Sequence, residues 1–227
     1  MYRTLKIGLS MRVVTAADYA ERRDAISQEW MLLLESWGAI PVLIPNTFSD
    51  IGALLEMVDL VILTGGNDVT VDARGVSISE SNDAAKERDL QEYRIIDLCI
   101  AKGIALLGVC RGMQLINYRF GGKVEAVDKQ WHVASEHNVS FKKSRFDSVL
   151  RGISCVNSYH KFGITEKTLG SGLEVLATSE DHAIEAFTHN QYPIVGIMWH
   201  PERNEIFSDI DRLLVREIVN QTTSKLN

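Results

Sequence analysis

Short, uninterrupted apolar runs separated by longer amphipathic stretches organise the first half of this chain. Residues 5–9, 40–44, 60–63 and 104–109 are apolar without alternation, the pattern of strands buried on both faces of a parallel sheet. Between them, residues 18–37 and 84–102 carry apolar side chains at helical spacing. The second stretch sets Leu90, Tyr93, Ile96, Leu98 and Ile100 among charged neighbours and stops at Gly103. Alternation of this kind predicts a parallel sheet with helices on both faces. The second half reads differently. Residues 133–141, 173–178, 184–187 and 194–199 are strand-like with short connections. Glu185-Ala186-Phe187-Thr188-His189-Asn190 followed by Tyr192-Pro193-Ile194 predicts a hairpin, and residues 204–221 a closing helix.

Ligands of such folds sit beyond the carboxyl ends of the strands. Three loops of interest lie there. Behind the run at 104–107 comes Gly108-Val109-Cys110-Arg111-Gly112-Met113-Gln114. Glycines two before and two after Cys110 predict a strand-to-helix elbow, where a Cβ at either flank would clash. The helix expected from Arg111 to Arg119 points its amino terminus at the sulfur, which favours thiolate over thiol. Trp199-His200-Pro201-Glu202 ends another strand and Thr64-Gly65-Gly66-Asn67-Asp68 a third. His200 is a candidate base and proton donor for a Cys110 nucleophile. In an extended segment Glu202 would share a face with His200 and fix its tautomer. The N–H groups of Gly66 and Arg111 are candidate oxyanion donors, and Gly65 lets the backbone approach a substrate.

Composition narrows the class. The chain has 227 residues, 45% hydrophobic and 24% charged, which suits one α/β catalytic domain spanning 1–227. A net charge of −6 argues against a nucleic-acid partner held through phosphates. The amino-terminal segment lacks the apolar stretch of a leader, and no run reaches membrane-spanning length, so no membrane partner is expected. Three unevenly spaced cysteines give no disulfide framework and suit a reduced, cytoplasmic setting; Cys99 and Cys155 read as structural, Cys155 preceding a polar loop. His132, His137, His182 and His189 lack ligand spacing, so no metal and no cofactor is expected. Periodicity fixes no oligomeric state, and a homodimer is only the base-rate partner of an enzyme.

Five segments together resemble the class I (triad) glutamine amidotransferase superfamily and, within it, the peptidase C26 branch of γ-glutamyl hydrolases. They are Leu63-Thr64-Gly65-Gly66-Asn67-Asp68, Glu87-Arg88-Asp89, the Cys110 elbow, Val156-Asn157-Ser158-Tyr159-His160, and Gly196-Ile197-Met198-Trp199-His200-Pro201-Glu202. The resemblance implies a flavodoxin-like three-layer α/β sandwich with a mixed, mostly parallel central sheet. It implies Cys110 as nucleophile, His200 as base, Glu202 as its partner, and an oxyanion hole from Gly66 and Arg111. It further implies that Gln114, Asn157, Ser158, Tyr159 and His160 hold the α-amino and α-carboxylate groups of a γ-glutamyl substrate; Gln114 as a helix-face contact and Tyr159 as core are the alternatives.

The segment after Asp68 lacks the Pro- and Tyr-containing pattern frequent in this branch. Residues 19–30, with Pro45-Asn46, resemble a subgroup tied to bacterial surface-polysaccharide (capsule) synthesis, in which glutamate is released from a γ-glutamyl cytidine diphosphoramidate. On that reading Arg12, Arg22, Arg23 or Lys123 meets a diphosphate; Arg22-Arg23 as a solvated helix face is the alternative. Two other uses of the chain stay open. One is a glutaminase subunit that passes ammonia to a synthase partner. The other is a non-catalytic binding protein with a relic pocket, against which the complete Cys110, His200 and Glu202 set argues.

Overall fold

The four apolar runs of the first half become adjacent parallel strands, and the Gly-Gly loop and the Cys110 elbow hang from the carboxyl ends of two of them. The computed structural model describes residues 3–223; Met1 and Tyr2, which open the amino-terminal segment read above, lie outside the described residues. In chain order the first half contains β1 (Lys6–Ser10), β2 (Arg12–Thr15), β3 (Arg22–Ala25), α1 (Gln28–Ser36), β4 (Ile40–Ile44), α2 (Ile51–Leu55), β5 (Leu60–Leu63), α3 (Lys86–Lys102), β6 (Ala105–Val109) and α4 (Arg111–Arg119). The second half adds β7 (Glu125–Ala126), α5 (Lys129–His132), β8 (Val133–Phe141), α6 (Asp147–Leu150), β9 (Cys155–Tyr159), β10 (Phe162–Gly163), β11 (Leu173–Ser179), β12 (Ile184–His189), β13 (Ile194–Ile197) and α7 (Asp209–Thr223).

One mixed nine-stranded sheet runs in the order β4-β1-β5-β6-β13-β12-β11-β8-β9. Its pairings are parallel from β4 to β13 and antiparallel from β13 to β9. β5, β6 and β13 are buried throughout, as unbroken apolar runs require, and β12 is buried throughout although it carries Glu185, Thr188 and His189. β6 is touched by α3, α4 and α7, so helices cover both its faces. This is the flavodoxin-like layered sheet that the resemblance implied. β4 differs from the buried strand expected, because it lies at the sheet edge and leaves Ile40 and Leu43 exposed. Among the described residues no helix is long and apolar enough to cross a membrane.

Three local expectations are corrected. The helix expected over 18–37 exists only from Gln28. Its first part folds instead as a β2–β3 hairpin, whose backbone groups pair with each other and whose Asp24 carboxylate accepts from the Asn46 backbone N–H and side-chain amide. Arg22 and Arg23 therefore lie on a strand, not on a helix face. The closing helix starts at Asp209 rather than 204, because Pro201–Arg203 forms a 3₁₀ turn first. Cys155 opens β9 instead of leading into a loop.

The elbow shows why its glycines are needed. A Cβ on Gly112 would sit 2.2 Å from the Leu63 carbonyl oxygen, and one on Gly108 would sit 2.6 Å from the Gly112 carbonyl carbon. α4 thus lies against the backbone of β5 and β6 with no room for a side chain. Cys110 between them has φ +51°, a strained left-handed value for a residue with a Cβ.

Beneath the elbow lies a fully buried charge network. Arg111 pairs with both Asp89 and Glu92, and Arg88 Nε donates to Glu92 Oε1 at 2.8 Å. Two guanidinium groups balance two carboxylates. Burial and the neighbouring Arg111 charge push Arg88 down to about 10, still above neutral pH. Burial opposes ionisation of Glu92, but Arg111 and Arg88 hold it below the usual carboxylate range. Removing one charge leaves its partner buried and uncompensated, at a cost of about 3–5 kcal/mol. Glu92→Gln is therefore expected to lose that much stability in urea unfolding, far more than a neutral surface substitution.

Candidate active site

Because β1, β5, β6 and β13 are parallel, the loops after them open at one end of the sheet. Cys110 follows β6, the Thr64-Gly65-Gly66 loop follows β5, and His200 lies three residues after the end of β13. Cys110 and His200 are both buried, and Glu202 Oε1 lies 2.7 Å from His200 Nδ1. The carboxylate reaches back through the 3₁₀ turn of Pro201–Arg203, not along an extended strand as the sequence suggested. The opposite ring nitrogen, Nε2, is buried and makes no hydrogen bond among the described residues.

His200 is held from several sides. Its backbone N–H donates to Asn157 Oδ1 at 2.8 Å, and Asn157 Nδ2 donates to its carbonyl, also at 2.8 Å. Trp199 Nε1 donates to the buried Asp211 of α7 at 3.0 Å. The Tyr159 ring stands edge-on to the imidazole at 5.7 Å, with the Arg203 guanidinium 4.4 Å over the Tyr159 ring. A Cβ on Gly65 would come 2.8 Å from His200 Cε1, so that glycine is the wall behind the ring. Burial works against a charged imidazole here. The Cys110 charge and hydrogen-bonding capacity, followed by those of Glu202, outweigh it and raise His200 to about 9.

The Gly-Gly loop is oriented from below. Arg88 donates to the carbonyls of Thr64 (2.7 Å), Gly65 (3.1 Å) and Gly66 (2.8 Å). A trans peptide holds its N–H opposite its C=O. Capture of the Gly65 and Gly66 carbonyls therefore turns the N–H groups of Gly66 and Asn67 away from the buried network. Gly66 has φ +83°, which suits glycine. The Arg111 N–H is the first of α4 and has no intrahelical acceptor. The Glu87-Arg88-Asp89 segment, noticed only as part of a resemblance, thus acquires a physical role in shaping the loop. Its Asp89 also accepts from the Thr70 and Val71 N–H groups at 2.9 and 3.2 Å.

The expected substrate contacts divide. Gln114 stands one turn after Cys110 and lines a recess with Asp68, Val69, Tyr118 and Phe162; its Nε2 donates to the Phe162 carbonyl at 2.8 Å. Tyr159 is half-exposed beside His200. The side chains of Asn157, Ser158 and His160 have partners within the protein, so the segment faces the site through Tyr159 and its backbone. Asn157 is occupied by the His200 backbone. Ser158 is fully buried and donates to the His132 carbonyl at 3.0 Å. His160 Nδ1 lies 3.0 Å from the Phe162 carbonyl, and its ring faces His132 and Glu185. Histidines without ligand spacing in sequence therefore share one buried cluster in space.

Of the basic residues, Arg12 and Arg203 reach the mouth. Both are exposed, and they line one recess with Gly65, Gly66 and Glu202. Arg22 is paired with Glu87 and Arg23 with Glu21, each at 2.6 Å. Lys123 lies past the far end of α4, whose nine residues span about 13 Å. Arg203 was missed in the sequence, although it directly follows His200-Pro201-Glu202.

A cysteine on a strained strand-to-helix elbow, faced by a histidine–glutamate pair beyond a parallel sheet, defines a class I glutamine amidotransferase-like protein. A glutamine amidotransferase from Thermotoga maritima has the same fold, with a TM-score of 0.61 at 15% identity over 100% of this chain and 87% of that one. The chain belongs to the Peptidase C26 family, whose model matches residues 7–202. It is 33% identical over 212 residues to the γ-glutamyl-CDP-amidate hydrolase of Campylobacter jejuni, covering 91% of this chain and 94% of that protein. It is 29% identical over 131 residues to a glutamine-hydrolysing GMP synthase subunit of Methanocaldococcus jannaschii, covering 58% and 65%.

Two outcomes are expected. In an NMR titration the His200 imidazole keeps its second proton through neutral pH and loses it as pH rises through about 9; in Cys110→Ala that midpoint falls, because the leading attraction is gone. A midpoint unmoved by Cys110→Ala would show that the sulfur does not act on His200. Gly65→Ala forces the ring to shift, and any turnover that uses His200 is expected to fall on the order of 10²-fold. Unchanged turnover would show that the ring has room to move.

Proposed function

We propose that this protein is a cysteine hydrolase that cleaves a γ-glutamyl amide through a glutamyl thioester, with a γ-glutamyl-CDP-amidate as substrate in surface-polysaccharide (capsule) modification. One observation carries the chemistry: Cys110 sits on the elbow beside His200, whose Nδ1 is 2.7 Å from Glu202. Similarity to the Campylobacter jejuni hydrolase over nearly the whole of both chains supports the substrate class.

The Cys110 thiolate attacks the γ-carbonyl carbon, forming a C–S bond and placing negative charge on the carbonyl oxygen. The N–H groups of Gly66 and Arg111 stabilise that oxyanion. The tetrahedral centre collapses as the C–N bond breaks, and the His200 imidazolium gives its proton to the departing nitrogen. Water then attacks the thioester, losing a proton to neutral His200, and the C–S bond breaks to give glutamate and thiolate. Glu202 holds the tautomer and stabilises the imidazolium. Gln114 and backbone groups beside Tyr159 receive the amino-acid end of the substrate. Arg12 and Arg203, the exposed cations at the mouth, receive the phosphates of the leaving group. The reaction needs no cofactor, the reduced cysteines suit the cytoplasm, and residues 1–227 act as one catalytic domain.

The partial similarity to a GMP synthase subunit favours a second reading, a glutaminase that feeds ammonia to a synthase. Glutamate release by the purified chain alone separates the two. The panel includes glutamine, γ-glutamyl-aminobutyrate, γ-glutamyl peptides, folate polyglutamate and γ-glutamyl-CDP-amidate, with Cys110→Ala as control. Self-sufficient turnover is expected to be highest on the CDP-amidate and lost in Cys110→Ala. Activity on glutamine alone, raised by a partner, would move the protein to the second reading. Substantial turnover by Cys110→Ala would end the thioester scheme.

A further inference from the structure

Behind the strand that carries Asn157 and Tyr159, three histidines converge on one carboxylate. His132 ends α5, His137 lies on β8, His160 follows β9, and Glu185 lies on β12; all four are buried, His132 and Glu185 completely. His137 Nε2 is 3.3 Å from Glu185 Oε1, and His132 Nδ1 and His160 Nε2 are each 3.7 Å from the same oxygen. The ligand atoms of His132, His160 and Glu185 all lie within 4.8 Å of one another. Neither Glu185 oxygen makes a hydrogen bond among the described residues, nor does Nε2 of His137 or of His160. Buried polar atoms left in this state are costly and call for an explanation.

The outward-facing nitrogens supply one. Nδ1 of His137 lies 3.2 Å from the Trp131 carbonyl, and Nδ1 of His160 lies 3.0 Å from the Phe162 carbonyl. A carbonyl only accepts, so both Nδ1 atoms carry hydrogen and the neutral rings turn Nε2 lone pairs inward. Nε2 of His132 lies 2.8 Å from Asp181 Oδ2, which leaves its Nδ1 lone pair inward as well. The inward lone pairs of His132 and His160 and the Glu185 carboxylate thus share a common space, with His137 at its edge. Each ring is oriented from outside by a carboxylate or a backbone carbonyl, as metal-bound histidines usually are. A tetrahedral zinc site with bonds of about 2.0–2.2 Å has ligand-to-ligand edges of about 3.4 Å, and the separations of 3.7 Å from Glu185 Oε1 to His132 Nδ1 and His160 Nε2 lie close to that value.

We propose that His132 Nδ1, His160 Nε2 and Glu185 bind one divalent transition-metal ion, zinc by ligand chemistry, with His137 standing beside the carboxylate. Imidazole with carboxylate selects zinc over magnesium or calcium, and three protein ligands leave the fourth tetrahedral position to water. The ion ties α5 and β12 to the end of β9. Asn157, three residues before His160, holds the His200 backbone, so the metal steadies the strand behind the active site and takes no part in bond cleavage. The site stands whether or not the proposed hydrolase reaction does.

The test is zinc content and affinity, measured on the tag-free Cys110→Ala/Cys155→Ser double variant so that neither the active-site nor the exposed thiolate can bind the metal. Mass spectrometry of the metal is expected to find one zinc per chain, either as purified or after incubation with zinc and gel filtration. Cobalt loading is expected to give the intense visible absorption of a four-coordinate ion. Glu185→Gln is expected to abolish binding. Should that variant not fold, Asp181→Asn at the surface keeps the ligands and is expected to weaken zinc about 10–100-fold in chelator competition. No zinc before or after incubation would overturn the proposal and leave a histidinium–glutamate cluster. Unchanged affinity in Asp181→Asn, or full retention in folded Glu185→Gln, would place the zinc elsewhere and overturn it equally.

Discussion

The buried quartet of Arg88, Asp89, Glu92 and Arg111 is the constraint on which the site depends. Its charges cancel inside a volume from which water is excluded, so no member can leave without stranding another. Three of its members come from α3 within about one turn of each other, and Arg111 is the residue that follows the candidate nucleophile. Arg88 reaches upward to three carbonyls of the Gly-Gly loop. One network therefore fixes α4 under Cys110 and sets which way the loop's N–H groups point. A neutral core could pack the same helices, but it would supply no donors for those carbonyls.

His200 is governed by a second, separate set of contacts. Asn157 brackets its backbone, Asp211 anchors the preceding Trp199, and Gly65 limits the ring from the side. The imidazole is left with two chemical neighbours, Glu202 on Nδ1 and Cys110 toward Nε2. Fixing the ring on the backbone side leaves its electrostatics to those two groups, which is why a buried histidine here is raised to about 9 rather than lowered. Exposed Arg12 and Arg203 stand outside both sets, at the mouth, where a charged leaving group would first meet the protein.

Much of the site was legible in the sequence because its signals are local. Gly108 and Gly112 around Cys110, behind an apolar strand, specify an elbow through steric exclusion alone. His200-Pro201-Glu202 places a base and its carboxylate within one turn, although the turn proved to be 3₁₀ and not extended. The hairpin of β2 and β3 was not legible, because its cross-strand pairing competes with a helical spacing that is equally present in residues 18–37. The protein partners of the Asn157, Ser158 and His160 side chains were not legible for a related reason. Which way they turn is set by β8, α5 and His200, not by their neighbours in sequence.

The sequence by itself determined the parallel core of the sheet, the elbow and the pairing of His200 with Glu202, since each follows from periodicity or from contacts within a few residues. Only the tertiary structure decided which charges neutralise Arg111, which arginines face the mouth, and that His132, His137 and His160 meet at Glu185. The cluster members lie between 5 and 53 residues apart along the chain. Their meeting depends on how strands are ordered across a sheet, and that order is fixed by burial of the whole core rather than by any local spacing.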